Sequence, residues 1–124
     1  MAGDPILIVD DNPTNLKLAR ILLVKEGYEV QTAPDAEEAL KKLETFKPRL
    51  ILMDIQLPGM DGLELTRRLK SSSETENIII IALTAYAMKG DDEKAKAAGC
   101  DGYVTKPIDT QALPGVIAGH LRPK

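Results

Sequence analysis

Five strand-like runs punctuate the chain, at Pro5 to Val9, Glu29 to Ala33, Leu50 to Met53, Ile78 to Leu83 and Tyr103 to Thr105, and a helical pattern follows each one. Leu50-Ile51-Leu52-Met53 has no polar alternation at all, which suits a strand buried on both faces of a parallel sheet. Each intervening stretch is long enough for a parallel crossover, and right-handed crossovers packed on both faces give a three-layer, doubly wound α/β sandwich. A chain of 124 residues is expected to form one domain with a sizeable core. Because 44% of the residues are apolar but only 3% aromatic, that core must consist mainly of Ile, Leu, Val and Ala.

Local signals bound the helices. Asn12 reads as an N-cap and Pro13 as the first helical residue, where a fixed φ and a missing donor do no harm, and Gly27 stops the helix after about Glu26. Within that helix Leu18, Ala19, Leu22 and Leu23 form one stripe, leaving Leu16, Ile21 and Val24 on the other arc. Leu16, in the first turn, is a candidate partner contact. Asp35-Ala36-Glu37-Glu38 is a capping box opening a helix to about Thr45, and Lys47-Pro48 ends that unit. Leu57-Pro58-Gly59 turns the chain, Asp61 can cap a helix carrying Leu63, Leu65 and Leu69, and Ser71-Ser72-Ser73 closes it. A fourth helix spans 88–98 with Gly99 as its stop. Pro114 cannot donate to the carbonyl four residues back, so residues 109–112 should form a separate turn, with the last helix starting near Leu113.

A net charge of -3 offers no basic stripe for nucleic acid. The lone Cys100 cannot form an internal disulfide, and no apolar run is long enough for a membrane span or signal peptide. The expectation is a cytoplasmic protein with no direct nucleic-acid or membrane partner. Cys100 reads as a small, partly buried turn residue, Tyr28 and Phe46 as packing residues at element ends, and His120 as neither ligand nor phosphodonor.

Polar residues fall where the strands end: Asp10 and Asp11 after the first, Asp54 after the third, Thr84 after the fourth and Lys106 after the fifth. In a parallel sheet these ends share one edge, the edge at which open α/β folds bind ligands. Three gathered carboxylates repel one another, and a divalent cation relieves them; oxygen ligands without a Cys/His cluster match Mg²⁺. Lys106 and Thr84 add a point charge and a hydroxyl suited to an anion. An aspartyl nucleophile taking up a phosphoryl group needs these parts.

With the acid pair, the Asp54 strand and its Pro-Gly turn, Thr84-Ala85 and Lys106-Pro107 in this order and spacing, the chain resembles the response-regulator receiver domains of two-component signalling. The resemblance runs from Ile6 to about Leu121, so the expected organisation is a single receiver domain over 1–124 with its core at about 5–121. It implies the flavodoxin-like strand order 2-1-3-4-5 of the chemotaxis regulator. It further implies that Asp54 accepts a phosphoryl group from a phosphohistidine and that Mg²⁺ is held by Asp11 directly, by Asp10 largely through water, and by Asp54 and the Gln56 carbonyl. Lys106 and Thr84 would contact the phosphoryl oxygens, Tyr103 would report the switch, Gln56 and Tyr86 would border the path of a hydrolytic water, and the Lys106-Pro107 bond would be cis. Such a domain is not an enzyme acting on others; it catalyses its own phosphorylation and slow dephosphorylation. The Asp10 to Asn15 start resembles receivers served by hybrid kinases and phosphotransfer proteins. With nothing following Lys124, the output is expected through a downstream protein.

Other readings fare worse. Aspartyl phosphatases and phosphomutases resemble one another in an Asp-x-Asp at the first strand, whereas the nucleophile candidate here is on the third and position 56 is Gln. A flavodoxin wants a phosphate loop where Asp10 and Asp11 would repel phosphate. A degenerate receiver, binding partners without phosphorylation, sits poorly with intact motif residues.

Overall fold

Strands β1 (Pro5–Val9), β2 (Glu29–Ala33), β3 (Leu50–Asp54), β4 (Ile79–Thr84) and β5 (Gly102–Thr105) alternate with helices α1 (Pro13–Lys25), α2 (Ala36–Leu43), α3 (Gly62–Lys70), α4 (Asp91–Ala98) and α5 (Leu113–Leu121). These assignments come from a computed structural model that describes residues 3–57, 59–60, 62–84, 91–106 and 108–121. The strands are all parallel and run in the order β2-β1-β3-β4-β5. This is the expected flavodoxin-like topology, in which the chain reverses its direction of travel across the sheet after β2. Pro58, Asp61, Ala85, Tyr86, the 88–90 start of the fourth helix and the Lys106-Pro107 bond lie outside the described residues.

Alternate side chains of each central strand leave the sheet on opposite faces, and both faces are dry. Leu7, Val9, Ile51, Met53 and Ile80 meet Ala39 and Leu43 of α2 and Leu65 and Leu69 of α3 on one side. Ile6, Ile8, Leu50, Leu52, Ile81 and Leu83 meet Ala19 and Leu23 of α1 and Leu113, Ile117 and Leu121 of α5 on the other. The unbroken apolar runs are thus the sum of two interleaved faces.

Helix ends follow their local chemistry. Asn12 Oδ1 accepts from the Thr14 and Asn15 amides, and Asp35 Oδ1 accepts from that of Glu38. Gly27 and Gly99 stop α1 and α4 with φ of 94° and 106°, values that burden any residue with a Cβ. α2 ends at Leu43, two residues short of expectation, because Glu44, Thr45 and Phe46 donate back to Lys41 and Lys42 in a tightened turn that buries Phe46. Residues 110–112 do form a turn before α5: Asp109 Oδ1 accepts from the Gln111 and Ala112 amides, and the Leu113 amide donates to the Asp109 carbonyl. Capping by Asp109 lets Pro114 sit where its missing donor is harmless.

One assignment on α1 needs correction. Leu16 does not share an exposed arc with Ile21 and Val24; it is half-buried against the core, whereas those two are 51% and 44% exposed. Leu16 lies three and seven positions before the fully buried Ala19 and Leu23, so helical geometry puts it on the inward face.

Capping and core burial should separate in unfolding experiments. Asp35→Ala, which strands one amide, should cost about 1 kcal/mol in urea denaturation, and Leu52→Ala, at a fully buried central position, about 3 kcal/mol. Equal costs would contradict this division.

Candidate functional site

Four of the five strands, β1, β3, β4 and β5, deliver a polar group to the carboxyl edge of the sheet. Asp10 directly follows β1, Asp54 and Thr84 are the last residues of β3 and β4, and Lys106 directly follows β5. The register holds these ends level, with Asp54 opposite Leu83 and Thr84 opposite Thr105. Further backbone bonds carry the pairing into the loops, from the Asp10 amide to Ala33, Ile55 to Leu83 and Lys106 to Thr84. The cleft floor therefore belongs to the sheet.

Asp10, Asp54 and Thr84 are at most 1% exposed, although all three are polar. Asp10 Oδ1 accepts from the Asn12 amide and Asp54 Oδ1 from the Gln56 amide, each at 2.9 Å. The remaining oxygens turn toward one cation: Lys106 Nζ donates to Asp54 Oδ2 at 2.9 Å and stands 3.4 Å from Asp10 Oδ2. The longer contact lacks hydrogen-bond geometry, so Asp10 Oδ2 is a buried oxygen with no hydrogen-bond partner. Such an atom is costly unless something else meets it. Asp11, exposed at the mouth, brings a third carboxylate, and oxygens of Asp10, Asp11 and Asp54 lie within 4.8 Å of one another.

One ammonium does not neutralise this set. Burial pushes the Asp54 carboxyl above its ordinary pKa and the Asp10 charge adds to the rise, outweighing the bonds from Gln56 and Lys106. Burial would lower the Lys106 pKa, but Asp54 and Asp10 outweigh it and hold the ammonium above its ordinary value. An acid paired one-to-one with a lysine would instead move down. Three convergent carboxylates, one with an oxygen that has no hydrogen-bond partner and one, Asp11, exposed at the rim, are a donor set for a hard divalent cation with room left for water.

Of the other expected residues, Gln56 is exposed just beyond Asp54, and Tyr103 is half-buried on β5 opposite Ala82. Residues not singled out from the sequence are Gly62, which lies directly against the Asp54 and Ile55 backbone, and Thr66, whose hydroxyl donates to the Gly62 carbonyl within α3. The signal available for Gly62 was a glycine at the start of an expected helix, directly after an acid that the sequence offers as its cap. Cys100 is a partly buried free thiol whose Sγ donates to Thr66 Oγ1 at 4.0 Å. Burial raises its pKa and the Asp101 charge adds to the rise, against contributions from Thr66 and Lys70.

Residues 6–118 match the family model of the response regulator receiver domain. The polar-differentiation response regulator DivK of Brucella anthropi is 44% identical over 116 residues, covering 94% of either chain. The chemotaxis protein CheY4 of Vibrio cholerae superposes with a TM-score of 0.91 at 29% identity, covering 97% of this chain and 100% of that one. The receiver domain of a sensor histidine kinase from Pseudomonas aeruginosa, solved with a magnesium ion coordinated in its active-site cleft, gives a TM-score of 0.85 at 36% identity, with 95% and 97% covered.

The surplus of buried negative charge sets a stability prediction. With its folded pKa raised, Asp54 contributes stability that is complete below the ordinary carboxylate pKa and is lost as pH rises through the raised value. At about pH 7 the ionised side chain therefore burdens the cation-free fold. In a chelating buffer, Asp54→Asn should melt at a higher temperature than the parent at that pH, with the gap narrowing toward about pH 4. A lower melting temperature for the variant at neutral pH would contradict the charge balance.

Proposed function

The chain belongs to the response regulator receiver family of two-component signalling, and from that premise we propose that Asp54 is its phosphoacceptor and that the domain works as a phosphorylation-controlled switch. The observation that carries this reading is the shared Lys106 ammonium, bonded to Asp54 and unable to satisfy Asp10, in a cluster short of positive charge and open at Asp11.

An Asp54 carboxylate oxygen attacks the phosphorus of a phosphohistidine, the phosphorus–nitrogen bond breaks with its electron pair leaving on the imidazole, and an acyl phosphate forms on Asp54. Phosphoryl transfer is governed by positioning and charge neutralisation more than by acid–base chemistry. Asp10, Asp11, Asp54 and the Gln56 carbonyl would hold Mg²⁺, which when bound supplies the positive charge the cluster lacks. Lys106 pairs with a phosphoryl oxygen in place of its present partner, and the Thr84 hydroxyl donates to another. The departure of Lys106 and Thr84 toward the phosphoryl group would be relayed to Tyr103 on the neighbouring strand. The domain catalyses its own labelling by this route and loses the group slowly by hydrolysis.

Receiver domains interact with histidine kinases and downstream proteins. For this chain the donor is a histidine kinase or phosphotransfer protein and the output is a protein contact, in the cytoplasm, from a single receiver domain over 1–124. No helix among the described residues is long and apolar enough to cross a membrane.

Incubation with acetyl phosphate and Mg²⁺ should add one phosphoryl group to the parent and none to Asp54→Asn; equal labelling of the two would remove the assignment. Asp11→Ala, losing a direct ligand, should weaken Mg²⁺ binding by at least about tenfold in calorimetry, and parental affinity would contradict the ligand set. By the family resemblance Gln56 and Tyr86 would border the hydrolytic approach: an amide can hold a water, a ring can crowd it out, and the steric effect should win. Tyr86→Ala should therefore speed decay of the purified phosphoprotein a few-fold, equivalent to about 1 kcal/mol in the barrier. A slower or unchanged decay would show that the ring does not shield the site.

A further inference from the structure

Gly62 opens α3 where no side chain fits. A Cβ there would collide with the Asp54 carbonyl oxygen and lie 2.7 Å from Ile55 Cα and 2.9 Å from the Asp54 carbonyl carbon. All three obstacles are backbone, so no rotamer change relieves them. Alanine is favoured over glycine in a helix interior by about 1 kcal/mol, so helix propensity gives no reason for a glycine here. What it permits is direct contact between the first turn of α3 and the end of β3.

One hydrogen bond crosses that contact, from the Gly62 amide to the Ile55 carbonyl at 3.1 Å; a second, within α3, runs from the hydroxyl of the fully buried Thr66 to the Gly62 carbonyl at 2.8 Å and holds the first turn that makes it. Ile55 lies between Asp54, which carries the carboxylate, and Gln56, whose amide holds Asp54 Oδ1. Asp10 and Asp11 come from the end of another strand, β1. Whatever moves the 54–56 backbone therefore changes the spacing between the two halves of the acid cluster.

We propose that Gly62, held by Thr66, is a positioning residue for phosphoryl acceptance: it lets α3 seat the 54–56 segment at the depth where the β3 and β1 acids converge. The inference rests on Asp54 being the phosphoacceptor and concerns how that residue is set. Displacements of about 1 Å can cost a hundredfold in rate, and an added Cβ at this contact demands a displacement of that order.

The test measures labelling by acetyl phosphate at saturating Mg²⁺, per folded molecule, beside Mg²⁺ affinity by calorimetry and folding by circular dichroism. Gly62→Ala should label at least about tenfold more slowly than the parent and bind Mg²⁺ more weakly. Thr66→Val, nearly isosteric but without the donor, should stay folded and label several-fold more slowly. Gly119→Ala, where a Cβ meets nothing within 4 Å, should match the parent. A merely structural role would lower the melting temperature and leave the rate per folded molecule unchanged. Parental rate and affinity in folded Gly62→Ala would overturn the proposal; should that variant not fold, a parental rate in Thr66→Val would overturn it and a reduced rate would support it. A parent that takes no label would overturn the phosphoacceptor assignment itself, and the positioning role with it.

Discussion

The contact between Lys106 and the two buried carboxylates is the constraint around which the rest is arranged. An ammonium 2.9 Å from Asp54 and 3.4 Å from Asp10 leaves the second carboxylate with an oxygen that has no hydrogen-bond partner. Burying such a group carries a penalty of about 1 to 3 kcal/mol. A hard divalent cation bound between these acids would meet that oxygen. The raised pKa of Asp54, mainly from burial and then from Asp10, expresses the same shortage.

Keeping three acids together against their repulsion requires a frame that does not relax. β1, β3 and β4 supply it, because their central residues are buried on both faces by α1 and α5 on one side and α2 and α3 on the other. Close-packed interiors resist small displacements. Backbone bonds running past the strand ends, from Ile55 to Leu83 and from Lys106 to Thr84, carry that rigidity to the residues that bear the polar groups.

Features written in adjacent residues are legible in the sequence. The Asn12-Pro13 start, the Asp35 capping box, the glycine stops and the turn ahead of Pro114 depend on chemistry within four residues, and each occurs at or near its expected place. The gathering of Asp10, Asp11, Asp54 and Lys106 was legible because parallel strands must end on a common edge. The inward turn of Leu16 could have been read from its spacing of three and seven to Ala19 and Leu23. Features set by packing were not legible: the role of Gly62 appears only once α3 lies against Ile55. The early stop of α2 similarly reflects the burial of Phe46.

The central claim is that this cluster directs a phosphoryl group to one carboxylate. Borohydride reduction of the acetyl phosphate-labelled, Mg²⁺-loaded protein, followed by peptide mass mapping, reads the modified position directly. The account predicts conversion of Asp54 alone, with Asp10 and Asp11 intact. Conversion at either of those acids with Asp54 unmodified would contradict it.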